Sequence, residues 1–96
     1  MSTLEKLQQM RDIIMQVASR HGVTGIRVFG SVARREETPD SDIDFLVVVG
    51  GQPSSWFPAG LVLDLEELLG RHVEVVTERG LNPHLRDRVL RDAVAL

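Results

Sequence analysis

An α/β domain, with a small mixed β-sheet flanked by helices, is predicted by three features of the 96-residue sequence. Short β-branched runs over residues 23–29, 42–49 and 71–77 have the length and composition of strands. Two apolar stripes at three- and four-residue steps, Leu4, Leu7, Met10, Ile14, Val17 and Leu61, Leu65, Leu68, Leu69, have the period of helices. Gly30-Ser31 forms a turn between the first two runs and Asn82-Pro83 opens a last helix. The order is therefore helix, strand, turn, strand, helix, strand, helix, which a small layered sheet satisfies.

Ser2 with Glu5 three residues later has the form of a capping box, so one amphipathic helix is expected over residues 3–20, stopped by His21-Gly22. Its stripe faces the core, because a domain this small needs a helix to cover its sheet. His21 reads as a C-terminal helix residue favoured by the dipole and not as a ligand. The strand over residues 23–29 ends where the Gly-Ser turn begins. Residues 31–41 are a polar connection with room for a helical turn at Val32-Ala33-Arg34, and Pro39-Asp40-Ser41 supplies turn chemistry. Asp40 is read as a turn residue.

The second strand, residues 42–49, alternates Asp42, Asp44, Leu46 and Val48 on one face with Ile43, Phe45, Val47 and Val49 on the other. Its apolarity marks a central strand covered on both sides over most of its length. Gly50 to Ser55 is a loop by composition. Trp56 and Phe57 then stand at a helix entry, where an aromatic pair packs against the sheet; a patch over the site or a partner contact is the alternative. The helix that follows closes at Gly70, with Asp64, Glu66 and Glu67 as a solvated face. In the third strand, residues 71–77, His72 reads as a capping or surface residue. Asn82 as N-cap and Pro83 at the first position start a helix that runs to the end of the chain. Its Arg86, Arg88 and Arg91 form a solvated face or meet an acidic partner.

Composition narrows the function classes. At 43% hydrophobic, 96 residues suffice for one domain, residues 1–96, with a modest core. A net charge of −3 argues against direct binding to DNA or RNA, which depends on lysines and arginines neutralising phosphates. Absence of cysteine excludes disulfides and thiolate metal sites. The chain opens with a polar helical pattern where a signal peptide needs an apolar run, and no apolar stretch approaches the about twenty residues of a membrane span. A cytoplasmic location is expected, with no membrane contact.

Chemistry concentrates between Gly30 and Asp44. Asp42 and Asp44, at alternate positions on one strand face, can share metal ions, and two such carboxylates repel each other unless a cation or donors compensate. Hard cations such as Mg²⁺ take carboxylate and phosphate oxygens and keep several waters, so two or three acids suffice. Eleven residues before Asp42, Ser31 adds a hydroxyl at the start of a helical turn, and Gly30, without a Cβ, lets phosphate oxygens approach the backbone. Arg34 is a solvated loop residue, a salt-bridge partner or a phosphate contact.

The combination Gly30-Ser31, Ala33-Arg34 and Pro39-Asp40-Ser41-Asp42-Ile43-Asp44 resembles the signature of the DNA polymerase β-like nucleotidyltransferase superfamily, and within it the minimal nucleotidyltransferase branch of toxin–antitoxin pairs. The likeness covers nearly the whole chain. It implies that Gly30, Ser31 and Arg34 bind the triphosphate of ATP. Asp42 and Asp44 would hold Mg²⁺, two ions in all, with Glu74 as the third carboxylate. Glu74 is chosen because it lies among valines in a short strand where an unpaired charge is costly to bury. Relatives often carry glycine where this chain has Arg35, which points to solvent or adds charge near the phosphates. The resemblance further implies AMP transfer to a hydroxyl of a protein partner, a HEPN-domain ribonuclease toxin, with the chain as antitoxin. Two rival readings remain: a non-catalytic binder or scaffold of a HEPN partner, and a small-molecule nucleotidyltransferase of the antibiotic-modifying kind.

Overall fold

In the computed structural model, which describes residues 2–96, the chain runs α1 (Thr3–Gln9), α2 (Arg11–Ser19), β1 (Val23–Phe29), α3 (Gly30–Ala33), β2 (Ile43–Val49), α4 (Ala59–Leu69), β3 (Val73–Thr77), α5 (Pro83–Asp92) and β4 (Val94–Ala95). The strands form one mixed sheet in the order β3-β2-β1-β4. β2 is antiparallel to β1 and parallel to β3, while β4 pairs antiparallel with β1.

Alternation along the strands divides the sheet into two faces. Ile26 and Val28 of β1, Ile43, Phe45 and Val47 of β2, and Val73 of β3 are all buried on one face. Leu4, Leu7, Ile14, Val17 and Ala18 of the N-terminal helices and Leu61 and Leu65 of α4 close over them. Fully burying each such aliphatic or aromatic side chain stabilises by roughly 1.5–3 kcal/mol. The opposite face carries Phe29, Asp44, Leu46 and Glu74 by register. Leu46 is buried there too, so β2 is covered on both sides at its middle, as its composition predicts. Arg27 of β1 and Glu78, just past β3, form an ion pair at 3.0 Å that reaches across β2.

Several expectations are corrected. The first helix is two, because Met10 leaves helical geometry (φ −92°, ψ 9°) and its N–H is shared between the Lys6 and Leu7 carbonyls at 3.1 Å each. The apolar stripe continues through the break. The last helix stops at Asp92, and Ala93 turns extended so that Val94 and Ala95 can pair with Val28 and Arg27. His21, just past the end of α2, does more than close a helix: it is buried, with Nε2 2.7 Å from Asp64 Oδ2 and Nδ1 2.6 Å from Ser54 Oγ. It ties α2, the 50–58 loop and α4 together. Asp64 is therefore an anchor, and so is Glu66, whose carboxylate accepts the Val73 N–H at 3.0 Å and fixes the start of β3. Trp56 also departs from expectation, being 79% exposed, while Phe57 packs against the core.

Arg35 follows the short α3 with φ 59°, in the left-handed region that glycine favours. An L-residue there carries about 1–2 kcal/mol of steric cost, partly offset by the greater unfolded-state freedom of glycine. Its ion pair to Glu5 is long at 3.8 Å and exposed. Arg35→Gly should therefore exceed Arg35→Ala in unfolding free energy by about 1 kcal/mol in urea titration. Equal stability of the two variants would show that the turn relaxes around the side chain.

Candidate functional site

The β2–β3 register places Asp44 directly beside Glu74, and the β1–β2 register places Asp44 opposite Phe29, the residue before Gly30. Paired residues on adjacent strands project to the same side, so the two carboxylates meet on the face opposite α1, α2 and α4. The Asp44 carboxyl is pushed up to about 6, first by partial burial, then by the charge of Glu74 and a hydrogen bond shared with it, and less by Asp42. The Arg34 guanidinium opposes the rise. Asp44 is thus a carboxylate whose ionised form lacks sufficient counter-charge.

Glu74 is exposed, which corrects the reason for selecting it: its valine neighbours point into the core, whereas Glu74 points away from it, and no burial cost applies. What singles it out is its place next to Asp44. Asp42 is exposed and precedes β2. The backbone before it is held by a closed turn, with Ser41 N–H on the Thr38 carbonyl at 3.0 Å and Thr38 N–H on Ser41 Oγ at 2.9 Å. Arg71, which local sequence gave no reason to select, donates to the Ser41 carbonyl at 2.6 Å and to Thr3 Oγ1 at 3.2 Å. It braces the entry to the acidic strand from the far side.

Gly30 opens α3 with φ 73°, and a Cβ built on it would fall against Asp44 Oδ2. The turn is thus shaped around the carboxylate. Ser31 is half-buried in the same turn, and its carbonyl accepts the Glu36 N–H at 2.9 Å. Arg34, at the end of α3, is an ion-pair partner: Nη1 donates to Asp92 at 2.7 Å and Nε to Glu36 at 3.1 Å. Asp92 above all, and then Glu36, raise the Arg34 pKa. A hollow of about 340 Å³ lined by Val47, Val48, Thr77, Glu78 and Arg79 lies at the other end of β2 and β3. Val48 is four residues from Asp44, about 13 Å along the strand.

The donor set is oxygen only. Among the described residues no three acidic, histidine or cysteine side chains are already gathered tightly enough to hold an ion by themselves. Asp44 and Glu74, with Asp42 adjacent and exposed, are instead a repelling pair that a hard divalent cation with its own water and substrate ligands would relieve. The residues fit such an ion on their chemistry. Among the described residues, no helix is long and apolar enough to cross a membrane.

The nucleotidyltransferase domain family model matches residues 10–96. The protein adenylyltransferase MntA of Thermococcus cleftensis is 37% identical over 95 residues, covering 98% of this chain and 96% of that protein. A solved structure provisionally described as a minimal nucleotidyltransferase superposes with a TM-score of 0.82 at 47% identity, over 100% of this chain and 97% of that one. The fold also recurs in a complex of tri-AMPylated Shewanella oneidensis HEPN toxin with an MNT antitoxin, at TM-score 0.67 and 20% identity, over 92% of this chain and 69% of that one.

The strained carboxylate pair has a measurable signature without ligands. Folded Asp44 keeps its proton to about pH 6, whereas the unfolded chain releases it near the ordinary 3.8, so stability should fall as pH rises through that window. In EDTA, Asp44→Asn should flatten this part of the melting-temperature profile and melt above wild type at pH 7. A variant that tracks the wild-type profile would show that the pair is unstrained.

Proposed function

Because the chain belongs to the nucleotidyltransferase domain family, we propose that it transfers AMP from ATP to a hydroxyl of a protein partner, a HEPN-domain toxin, and serves as that toxin's antitoxin. The observation that carries this reading is the Asp44–Glu74 pair set beside the Gly30–Ser31 turn. Similarity across 98% of the chain to a protein adenylyltransferase supports the reaction, and the AMPylated toxin in the Shewanella oneidensis complex supports the kind of acceptor.

In this mechanism the triphosphate lies against Gly30, where no side chain stands in its way, and Ser31 offers a hydroxyl to a phosphate oxygen. Arg34 contributes positive charge at the same edge. Asp42, Asp44 and Glu74 are the residues that would hold Mg²⁺, two ions being the number that in-line displacement uses. Bound there, the metal supplies neutralisation of the triphosphate and acidification of the attacking hydroxyl. The acceptor hydroxyl gives up its proton to solvent, its oxygen forms a bond to the α-phosphorus, the bond from that phosphorus to the bridging oxygen breaks, and pyrophosphate leaves. Glu74 serves the attacking hydroxyl, while Asp42 and Asp44 serve the phosphates.

With α-labelled ATP and Mg²⁺, label should pass to a HEPN protein encoded beside this chain. Asp44→Asn should abolish transfer with the fold intact. Glu74→Gln should bind ATP nearly normally yet transfer at least about a hundredfold more slowly, the size of effect expected of a group acting mainly in the transition state. Tight binding of the HEPN protein with no label on it would instead establish a non-catalytic antitoxin, and wild-type transfer by Asp44→Asn would remove the proposed site.

Gly30→Val should weaken ATP binding far more than Ser31→Ala, which deletes one hydroxyl contact of roughly 0.5–1.5 kcal/mol. The valine must displace Asp44 and strain a backbone at φ 73°. Calorimetric titration giving equal affinities for Gly30→Val and wild type would show that the nucleotide binds elsewhere.

A further inference from the structure

Asp92 is the last residue of α5, an end of a helix where the dipole disfavours an anion, yet its side chain is only 21% exposed. Local sequence offers no reason for an acid there. The reason lies across the fold, in the 2.7 Å bond from Arg34 Nη1. Arg34 ends the short turn that begins at Gly30, and its Nε is held at the same time by Glu36 at 3.1 Å. A guanidinium presents five N–H groups in a rigid planar fork. These two bonds fix the plane from two edges and use neither proton of Nη2, which are left to meet an anion. The group is also near enough to Asp44 to act on its charge.

The position of Asp92 is itself enforced. Ala93 is extended (φ −63°, ψ 131°), β4 pairs Val94 with Val28 and Ala95 with Arg27, and Gln8 Nε2 donates to the Ala95 carbonyl at 3.2 Å. The two-residue strand thus docks the end of α5 onto β1, whose last residue leads into the Gly30 turn. A flexible arginine held by carboxylates before its ligand arrives loses less freedom on binding than an unrestrained one.

We propose that Asp92 is a positioning residue for nucleotidyl transfer, holding the Arg34 guanidinium beside the Gly30–Ser31 turn so that its remaining N–H groups meet the triphosphate. This rests on the reading of that turn as the triphosphate site. Calorimetric titration of ATP and of AMP, each with Mg²⁺, into wild type, Arg34→Ala, Asp92→Asn, Asp92→Glu and the Arg34→Ala/Asp92→Asn double variant tests it. Arg34→Ala should weaken ATP binding by about tenfold and Asp92→Asn by roughly three- to tenfold, with AMP affinity unmoved in both and partial recovery in Asp92→Glu. The double variant should be no weaker than Arg34→Ala alone, since Asp92 acts only through Arg34. Wild-type ATP affinity in Asp92→Asn, tighter binding in it, parallel loss of AMP affinity, or additive losses in the double variant would each overturn the proposal. Failure of wild type itself to bind ATP would overturn the reading on which it rests, and is distinguishable from all of these.

Discussion

Parallel pairing of β2 with β3 in the register that sets Ile43 beside Val73 is the constraint from which the site follows. Once Ile43, Phe45 and Val47 on one strand and Val73 on the next are committed to the helix-covered face, Asp44 and Glu74 must meet on the other. A slip of one residue would turn the whole apolar set of one strand into water. Burial of these side chains stabilises by several kcal/mol in total. The penalty of holding two carboxylates together, after allowing for their contact with solvent, is on the order of 1 kcal/mol at neutral pH. Packing therefore wins, and the core holds in place a charged pair that would separate if left to itself.

The same division of labour extends to the surroundings of the site. On the covered side, the polar contacts are anchors: His21 between Ser54 and Asp64, and Glu66 on the Val73 N–H, each joining α4 to an element that the apolar contacts alone would leave free to slide. On the opposite side, ion pairs reach across strand and turn. Arg27 reaches Glu78 across β2, and Arg34 reaches Asp92 across the turn. Exposed pairs of this kind contribute little to stability, a median of about 0–1 kcal/mol, so their effect here is chiefly to orient side chains.

Local pattern was sufficient for what local pattern determines. The bounds of β1, the closing of α4 at Gly70 in the left-handed region (φ 67°), and the Asn82 cap, whose side chain accepts the His84 N–H, all come from residues near one another in the chain. Asp42, Asp44, Gly30 and Ser31 were legible because a strand period and a turn bring them together with few intervening residues. What escaped was nonlocal. β4 is two residues long and exists only because β1 offers a free edge 66 positions earlier. Asp64 and Glu66 look like a solvated helix face until the folded chain brings His21 and Val73 against them. Glu74 is expected in the site for a reason the structure replaces, since what sets it beside Asp44 is the pairing of two strands and not its own burial.

Gly30 shows how far a single position can be constrained from two directions. Viewed as sequence, it is the residue that lets phosphate oxygens approach the backbone, and that requirement alone would tolerate any change that left the outer side of the turn open. The fold adds a second requirement, because the space a Cβ would take is already filled by Asp44 Oδ2 and the backbone stands at φ 73°. The Gly30 turn and the acidic strand are therefore not two separable modules. Any side chain at Gly30 must move the carboxylate that pairs with Glu74, and any shift of Asp44 along β2 must empty or crowd the turn. Proximity of the Gly30 turn and the acidic groups is thus enforced by steric contact between them, at the one place where β1 ends and Asp44 projects from β2.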